Sequence, residues 1–341
     1  DVLNKAGIPV FGPSKAAAQL EGSKVFAKDL MKKYNIPTAA YGVFHKVDEA
    51  KAFIAQTGAP IVVKADGLAA GKGVVVAMTI DEANVAVEDM LSGNRFGDAG
   101  STVVIEEFME GEEASLLAFV DGKTVVPMIA SQDHKRIFDG DKGPNTGGMG
   151  TYAPAPVLTD ALRDEAMKTI LEPMVAAMEK EGMPYVGCLY AGLMITDEGP
   201  KVVEFNARFG DPETQVVLPL LDSDLGEIMM ACAKGTLTSN MVKWKDSSAA
   251  CVILASKGYP ETSSKGDVIS GDIKQYDTTI VFHSGTKLVG ENYVTNGGRV
   301  LGVVGLGKDL RTALDRAYER IEHIDFEGMQ YRTDIGAKAF K

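Results

Sequence analysis

Residues Val202–Gln215, which read VVEFNARFGDPETQ, decide how the rest of the chain is interpreted. The stretch opens with β-forming residues after a turn at Asp197–Pro200, so we predict a strand that runs into a Gly-Asp-Pro turn. Side chains two positions apart on a strand share one face. Glu204, Asn206 and Arg208 are therefore predicted to point the same way, as a carboxylate, an amide and a guanidinium in a row.

This row of polar side chains suits phosphoryl transfer. A carboxylate and an amide oxygen are hard ligands of the kind that Mg²⁺ prefers, and nucleotide phosphates commonly complete its shell. Glu204 and Asn206 are therefore candidate metal ligands. Arg208 is a candidate catalytic residue, because a guanidinium stabilises the charge that develops on a phosphoryl group in transfer. For the motif alone, a solvated strand edge with a surface ion pair stays open as the alternative.

The composition is that of an acidic globular chain. It has 341 residues, 45% of them hydrophobic and 24% charged, with a net charge of −12 at pH 7. The length allows two or three domains, and the acidic balance disfavours nucleic acid or an anionic membrane as a partner. No stretch approaches the roughly 18 continuous apolar residues of a membrane span. Cys188, Cys232 and Cys251 lie in apolar contexts, which indicates core residues of a cytoplasmic protein.

Two lysines are predicted to meet anions. Lys24 lies in the first turn of a helix predicted over 23–34, where a cation opposes the helix dipole unless an anion is close. Lys64 ends an otherwise apolar strand, and a buried lysine needs an anionic partner. The other lysines of the helix are predicted to be solvated, namely Lys28, Lys32 and Lys33.

The glycine-rich segment Gly67–Gly73 follows the strand that ends at Lys64. It is not a P-loop, because its glycines are one residue too close, Gly73 stands where Ser or Thr is needed, and a strand comes next. We predict a β-turn-β flap in which backbone N–H groups around Gly71 and the Lys72 ammonium approach phosphates. A plain glycine-rich hairpin is the alternative.

A long polar loop over 131–150 is a second candidate site, since such loops in compact regions are usually functional or disordered. Lys135 and Arg136 could hold a phosphate, and the glycines near the end of the loop would let a ligand approach the backbone. His134 stands beside Asp133, as a catalytic base could. Because no nucleophile pairs with it, we predict that His134 is a positioned hydrogen-bonding group.

Beyond a polar link at 243–246, the chain is predicted to form a small β-rich unit with a helix over 310–322. Thr295–Arg299, which reads TNGGR, is predicted to be a hairpin turn. Gly305-Leu306-Gly307 lacks the third glycine of a dinucleotide fingerprint and is predicted to be a turn. An oxidoreductase is therefore poorly supported.

Longer blocks resemble the phosphoribosylamine–glycine ligase family of the ATP-grasp superfamily. They are IVVKADGLAAGKGV, VIEEFMEGEEAS, SQDHKR, GPNTGGMGTYAP, VEFNARFGDPETQ and TNGGRVLGV. The resemblance implies an α+β protein with the ATP-grasp fold, in which two α+β lobes sandwich ATP, and a small C-terminal β-rich α/β domain. The implied domains are a remnant of a preceding α/β domain at 1–13, the large lobe at 14–37 and 109–242, the small lobe with the flap at 38–108, and the C-terminal domain at 243–341.

The resemblance also implies an activity, which is ATP-dependent ligation of glycine to 5-phosphoribosylamine through glycyl phosphate in purine biosynthesis, with Mg²⁺ or Mn²⁺, by a monomer or weak homodimer. The implied nucleotide-binding residues are Lys24, Lys64, Gly71, Lys72 and Gly73 at the phosphates, Glu106 and Phe108 at adenine, and Glu113 at the ribose. The implied metal ligands are Glu204 and Asn206, with Arg208 at the acyl phosphate. The implied residues of the glycine and phosphoribosylamine pockets are Asp133, Lys135, Arg136, Asn145, Asp211 and Arg299, with Asp133 and Asp211 as catalytic candidates.

Two departures from the family pattern leave alternatives open. The segment Gly192–Ile195 carries no acid where many ATP-grasp enzymes have a further metal ligand. The chain begins near the end of the family's first α/β domain, so a fragment that binds ATP without completing the ligation is one alternative. Another ATP-grasp carboxylate–amine ligase and a non-catalytic nucleotide-binding module are the others.

Overall fold

The computed structural model describes residues 1–67, 73–92 and 101–340. The predicted flap residues Gly71 and Lys72 lie outside the described residues. The chain divides into two compact units. Unit 1 comprises Asp1–Pro127, Asp160–Arg208 and Gly226–Ser239, and unit 2 comprises Met128–Thr159, Phe209–Leu225 and Asn240–Lys341. The lobe boundaries given above remain a prediction.

Helices and strands alternate irregularly along both units. The helices are α1 (Val2–Lys5), α2 (Gln19–Gly22), α3 (Lys24–Lys33), α4 (Val47–Thr57), α5 (Ile80–Leu91), α6 (Asp160–Ala166), α7 (Glu172–Lys180), α8 (Thr214–Val217), α9 (Leu225–Lys234) and α10 (Leu310–Ile321). The strands are β1 (Tyr41–Phe44), β2 (Ile61–Ala65), β3 (Val74–Ala77), β4 (Val103–Glu107), β5 (Glu112–Asp121), β6 (Val125–Pro127), β7 (Gln132–Asp133), β8 (Arg136–Phe138), β9 (Lys142–Asn145), β10 (Gly150–Ala153), β11 (Val186–Thr196), β12 (Gly199–Asn206), β13 (Ser248–Ala255), β14 (Ser270–Gly271), β15 (Thr279–His283), β16 (Thr286–Val289), β17 (Asn292–Thr295), β18 (Arg299–Gly307) and β19 (Ile324–Asp325). A π-helical turn, Met167–Leu171, joins α6 to α7.

The first sheet of unit 1 has the strand order β1-β4-β2-β3, and neighbouring strands are antiparallel. Helices α4 and α5 supply the apolar side chains that pack against its strands. The buried core of this layer includes Ile54, Ile61, Val63, Val87, Met90 and Ile105. Because β2 and β4 are adjacent, Lys64 and Glu106 come from neighbouring strands.

The second sheet of unit 1 has the order β12-β11-β5-β6, again antiparallel. The turn predicted before Val202 is confirmed, because β11 and β12 pair with each other on either side of Asp197-Glu198. Residues 116–120 of β5 are 0% exposed, so the middle of this central strand is fully buried. The predicted polar row begins on β12, which pairs with β11.

Unit 2 is built on an antiparallel sheet with the order β15-β18-β13-β10-β7. Helix α10 packs on β18. Gly305 and Gly307 lie within β18, so the turn predicted for them is wrong. A Cβ on Gly305 would stand 2.0 Å from the carbonyl oxygen of Ala313 in α10. Glycine there permits close packing of the helix on the sheet.

The hairpin turn predicted at Thr295–Arg299 is also wrong. Strand β17, before this segment, pairs with β16, whereas β18, after it, pairs with β13 and β15. Turn chemistry identifies a turn but does not decide whether the flanking strands pair with each other. The segment instead carries the chain from one sheet to another.

The predicted burial of the cysteines is confirmed, since Cys188, Cys232 and Cys251 are all buried. Among the helices of the described residues, none combines the length and the apolar character needed to cross a bilayer.

Candidate active site

The end of strand β12 carries the polar row. The pairing of β12 with β11 shifts register just before the row, and such a bulge re-aims the side chains that follow. Glu204 is exposed, whereas Asn206 is 9% exposed. Asn206 Nδ2 lies 3.5 Å from Glu204 Oε1, and Arg208 Nη2 lies 3.5 Å from Asn206 Oδ1. The three side chains are therefore neighbours, although β12 ends at Asn206 and Arg208 lies two residues beyond the strand.

Arg208 is held by an acidic residue that the sequence did not reveal. Its Nε lies 3.1 Å from Glu21 Oε1, and the backbone N–H of Ala207 donates to Glu21 Oε2 at 2.9 Å. Glu21 belongs to α2 and stands 187 residues earlier in the chain, so no local pattern could indicate it. The contact orients Arg208 while leaving its side chain 57% exposed.

Lys64 has the anionic partner that its burial requires. Its Nζ donates to Glu106 Oε2 at 2.9 Å and to the carbonyl oxygen of Val203 at 3.0 Å. The first contact joins two strands of the first sheet, and the second reaches β12 in the second sheet. Lys64 is therefore fixed against the backbone directly before Glu204.

Lys28 is buried in the same cluster, so the prediction that it is solvated is wrong. Its Nζ lies 3.1 Å from Glu106 Oε2 and donates to Thr38 Oγ1 at 2.8 Å and to the carbonyl oxygen of Ala39 at 3.3 Å. Burial lowers the pKa of Lys28 to about 8, and Glu106 opposes that shift. Glu106 is itself 3% exposed and serves two ammonium groups.

Lys24 has the nearby anion that its place in the helix calls for. At the N-terminus of α3, the Asp66 carboxylate accepts from the backbone N–H of Val25 at 3.1 Å and from Ser23 Oγ at 3.2 Å. Lys24 Nζ donates to the carbonyl oxygen of Gly67 at 2.9 Å. Burial is the largest cause of a lowered pKa at Lys24. These contacts tie the start of α3 to the segment that follows β2.

The other predicted nucleotide contacts lie at strand ends of unit 1. The buried Gly73 accepts from the backbone N–H of Ala65 at 2.8 Å, at the base of the predicted flap. Phe108 directly follows β4 and is half-buried. Glu113 is exposed on β5, opposite Met194 of β11. Their roles stay predictions.

In unit 2, Asp133 and Lys135 form an ion pair. Lys135 Nζ lies 2.5 Å from Asp133 Oδ2 and 3.9 Å from Glu213 Oε1, and both carboxylate side chains are at most 3% exposed. Burial raises the pKa of Asp133, and Lys135 opposes that shift. Gly148 has a φ of +115°, and a Cβ there would stand 2.8 Å from Asp133 Oδ1. The glycine-rich end of the polar loop therefore packs directly on this pair.

Arg299 joins the polar loop to the Gly-Asp-Pro turn. Its Nη1 donates to the carbonyl oxygens of Gly147 at 2.9 Å and Asp211 at 2.8 Å, and its Nη2 donates to Asp211 Oδ2 at 3.1 Å. Gln215 Nε2 donates to Asp211 Oδ1 at 2.8 Å. Asp211 and Arg299 also line a cavity of about 870 Å³. Sequence reasoning missed further residues of its lining, among them Thr214, Gln215, His283 and Ser284.

Arg136 and Asn145 face each other across the two-stranded ribbon β8–β9. Arg136 Nη1 donates to the carbonyl oxygen of Gly143 at 2.7 Å, which turns its guanidinium along the ribbon. The structure therefore gathers the predicted substrate residues into three groups. These are Asp133 with Lys135, Asp211 with Arg299, and Arg136 with Asn145.

His134 is buried, and both of its ring nitrogens contact backbone groups. Its Nδ1 lies 3.2 Å from the carbonyl oxygen of Gly150, and its Nε2 accepts from the backbone N–H of Gly336 at 3.4 Å. This pairing fits the neutral ring with its proton on Nδ1. Burial lowers the pKa of His134 to about 4. The prediction of a positioned hydrogen-bonding group is confirmed.

We expect the free energy of unfolding of His134→Gln to fall less steeply than that of the wild type as the pH is lowered from 6.5 to 4. The folded protein keeps this ring neutral down to about pH 4, whereas the unfolded chain protonates it near pH 6.5. The neutral ring contributes fully to the free energy of unfolding above pH 6.5. This contribution falls by about 1.4 kcal/mol per pH unit as the pH is lowered towards 4. Thermal unfolding across this pH range measures it. The exposed His323→Gln should keep the wild-type slope, and a wild-type slope in His134→Gln would contradict the prediction.

Two family models match the chain. The model of the phosphoribosylglycinamide synthetase ATP-grasp (A) domain covers residues 22–214, and that of the phosphoribosylglycinamide synthetase C domain covers residues 249–338. A curated relative from Halalkalibacterium halodurans, a phosphoribosylamine–glycine ligase, is 54% identical over 339 residues. The match takes in 99% of this chain and 79% of the relative.

Solved structures agree with these matches. The crystal structure of phosphoribosylamine–glycine ligase from Thermotoga maritima has a TM-score of 0.88 at 38% identity, over 96% of this chain and 82% of that one. The biotin carboxylase domain of Hydrogenobacter thermophilus 2-oxoglutarate carboxylase, solved in complex with MgADP, has a TM-score of 0.75 at 17% identity, over 97% and 72% of the two chains. The second likeness concerns the fold alone. The predicted α+β, ATP-grasp fold is confirmed.

Proposed function

The chain belongs to the phosphoribosylglycinamide synthetase family, and on that premise we propose that it ligates glycine to 5-phosphoribosylamine in an ATP-dependent reaction. The products are glycinamide ribonucleotide, ADP and phosphate. The observation that carries the proposal is the cluster around the end of β12. There the Lys64 ammonium donates a hydrogen bond to the backbone carbonyl oxygen of the residue before Glu204. The side chains of Glu204, Asn206 and Arg208 lie next to one another. A cation for a polyphosphate thus stands next to hard oxygen ligands.

The first step activates glycine, whose carboxylate is a poor acyl donor because oxide is a poor leaving group. A carboxylate oxygen attacks the γ-phosphorus of ATP, the bond to the β,γ-bridging oxygen breaks, and ADP leaves with the electron pair. We assign Lys24 and Lys64 to the ATP phosphates, since contacts to backbone carbonyl oxygens fix both ammonium groups. Arg208 would stabilise the charge on the phosphoryl group in transfer.

The second step forms the amide. The amino group of 5-phosphoribosylamine attacks the carbonyl carbon of glycyl phosphate, the bond from that carbon to the phosphate oxygen breaks, and phosphate leaves while the nitrogen loses a proton. A raised pKa suits a carboxylate that accepts a proton, and burial raises that of Asp133. We assign recognition of glycine and the sugar amine to Asp133, Lys135, Arg136, Asn145, Asp211 and Arg299.

A divalent cation fits the donor set on β12. An exposed carboxylate and a neighbouring amide supply hard ligands, and a half-turn of the Asn206 amide exchanges its oxygen and nitrogen with little change in shape. Among the described residues, no group of three or more His, Cys, Asp or Glu side chains converges as a metal site. A partial protein shell of this kind suits Mg²⁺, or Mn²⁺, because nucleotide phosphates and water can complete it. When bound, the cation would neutralise phosphate charge.

The remaining assignments rest on position in the chain. Phe108 is assigned to adenine, Glu113 to the ribose, and Gly73 to the phosphates. The predicted adenine contact of Glu106 is not kept, because its carboxylate is 3% exposed and lies against Lys28 and Lys64. Gly71 and Lys72, outside the described residues, keep their predicted place in the flap. The cysteine contexts support a cytoplasmic protein, and the family resemblance implies a monomer or weak homodimer.

The proposal is tested by measuring ADP release from ATP and Mg²⁺ with glycine, with 5-phosphoribosylamine, and with both. We expect rapid release with both substrates and little with either alone. Equal release in the absence of the amine would favour a ligase that uses another acceptor. Binding of ATP without turnover under any condition would favour the nucleotide-binding module and contradict the proposal.

A further inference from the structure

One carboxylate oxygen in unit 1 is shared by two buried lysines. Glu106 Oε2 lies 2.9 Å from Lys64 Nζ and 3.1 Å from Lys28 Nζ. The three side chains are each at most 5% exposed. Two ammonium groups and one carboxylate leave a net charge of +1 in a buried cluster, which we call the lysine–glutamate triad. A buried net charge is costly unless an anion compensates it.

Within the described part of the chain, no other hydrogen-bond contact of Lys28 is to an anion, and Glu107, a further carboxylate that acts on its charge, is exposed to solvent. Besides Glu106, its Nζ donates to the hydroxyl of Thr38 and the carbonyl oxygen of Ala39, which are both neutral acceptors. Lys28 is also four residues after Lys24 on α3, so the two lysines lie on one side of the helix. The helix therefore brings one ammonium to the triad and one to the segment that follows β2.

We infer that Lys28 is a positioning residue that occupies Glu106 and so leaves the charge of Lys64 available to the phosphates of the nucleotide. This inference rests on the proposed function. Without Lys28, Lys64 and Glu106 form a closed ion pair of zero net charge. With Lys28, the triad keeps one excess positive charge, and a nucleotide polyphosphate is the anion that compensates it. Burial of Lys28, which lowers its pKa, is consistent with a charge that needs such a partner.

The inference distinguishes the phosphates of a nucleotide from its nucleoside. We expect Lys28→Met to weaken MgADP binding by roughly 10- to 100-fold, the worth of about one charge-assisted contact, and to leave adenosine binding within about twofold. Lys28→Arg keeps the charge and should restore most of the MgADP affinity. Lys32→Met, at an exposed position of the same helix, is the matched control and should bind both ligands as the wild type does.

Isothermal titration of the four proteins with MgADP and with adenosine gives the two affinities. A parallel loss of both affinities in Lys28→Met would reduce Lys28 to a structural residue and overturn the inference, as would unchanged MgADP affinity. In the double variant Lys28→Met/Glu106→Gln, Lys64 has no carboxylate partner, so the MgADP affinity itself should recover towards that of the wild type. An MgADP affinity no higher than that of Lys28→Met would also overturn the inference.

Two further results distinguish failure of this inference from misfolding of a variant and from failure of the proposed function. If Lys28→Met does not fold, Lys28→Gln keeps a donor for Thr38 and Ala39 while removing the charge, and the same loss of MgADP affinity decides the question. If the wild type binds no MgADP at all, the proposed function fails with it. If the wild type binds MgADP and Lys28→Gln binds it equally well, the inference alone fails.

Discussion

Glu204→Gln is expected to lower the rate of ligation by about 10²- to 10³-fold, the cost of removing one preorganised charge from a site of this kind. The side chain is exposed at the end of β12, so its replacement should leave the fold and the thermal unfolding temperature unchanged. Glutamine keeps the size and one oxygen of the side chain but removes the negative charge that favours a divalent cation. Glu204→Gln should therefore lower the turnover rate and remove the increase in ADP affinity that Mg²⁺ causes.

The measurement has two parts. Steady-state turnover is compared at saturating ATP, glycine and 5-phosphoribosylamine, and ADP affinity is titrated with and without Mg²⁺. In the wild type, Mg²⁺ should strengthen ADP binding, and in Glu204→Gln that gain should disappear. Glu198→Gln provides the control, because Glu198 is an exposed acid of the same hairpin paired with Lys201. Turnover of Glu204→Gln close to that of Glu198→Gln would remove Glu204 from the site.

The polar row could be predicted from the sequence because everything it needs is local. The turn at Asp197–Gly199 and the β-forming residues after it predict a strand. The two-residue period of that strand then predicts that Glu204 and Asn206 share a face. Lys24 could be predicted for a similar reason. Its position in the first turn of a helix predicts a nearby anion, although the sequence does not show that the anions acting on Lys24 include Glu204 and Asp66.

The residues that were missed have partners far away in the chain. Glu21, which contacts Arg208, lies 187 residues before it in the chain. A lysine on an amphipathic helix, such as Lys28, has the same local sequence pattern whether it is solvated or buried. Burial of a charge depends on which strand the fold brings alongside it. For Lys28 that strand is β4, and the pairing of β4 with β2 is a long-range contact that no helix period encodes.

Arg332 contacts both a carboxylate two residues away and a segment far away in the chain. It is 1% exposed, and its Nε and Nη2 donate to the two carboxylate oxygens of Asp334 at 2.7 and 2.8 Å. Its Nη1 donates to Asp141 Oδ1 at 2.9 Å and to the carbonyl oxygen of Arg136 at 3.2 Å. The C-terminal segment is thereby fastened to the ribbon β8–β9, which lies 191 residues earlier.

We expect Arg332→Met to destabilise the protein by about 3 kcal/mol, at the lower end of the cost of breaking a buried ion pair, because both carboxylates keep some exposure. Methionine fills the stem of the side chain but leaves Asp334 and Asp141 without the guanidinium between them. Denaturant unfolding of the variant measures the loss. Arg311→Met, which removes an exposed arginine of unit 2, should change stability by less than about 0.5 kcal/mol.

A second substitution separates charge from packing in this effect. If the loss comes from a stranded carboxylate, Arg332→Met/Asp334→Asn should recover part of the stability, since the amide removes the uncompensated charge. If the loss comes from a cavity, the double variant should be no more stable than the single one. The Asp334 carboxylate, whose pKa Arg332 holds below its usual range, also accepts from the backbone N–H of Gly140. Faster hydrogen exchange at 139–143 in Arg332→Met would therefore show that the arginine orders the ribbon that carries Arg136 and Asn145, and unchanged exchange there would contradict that role.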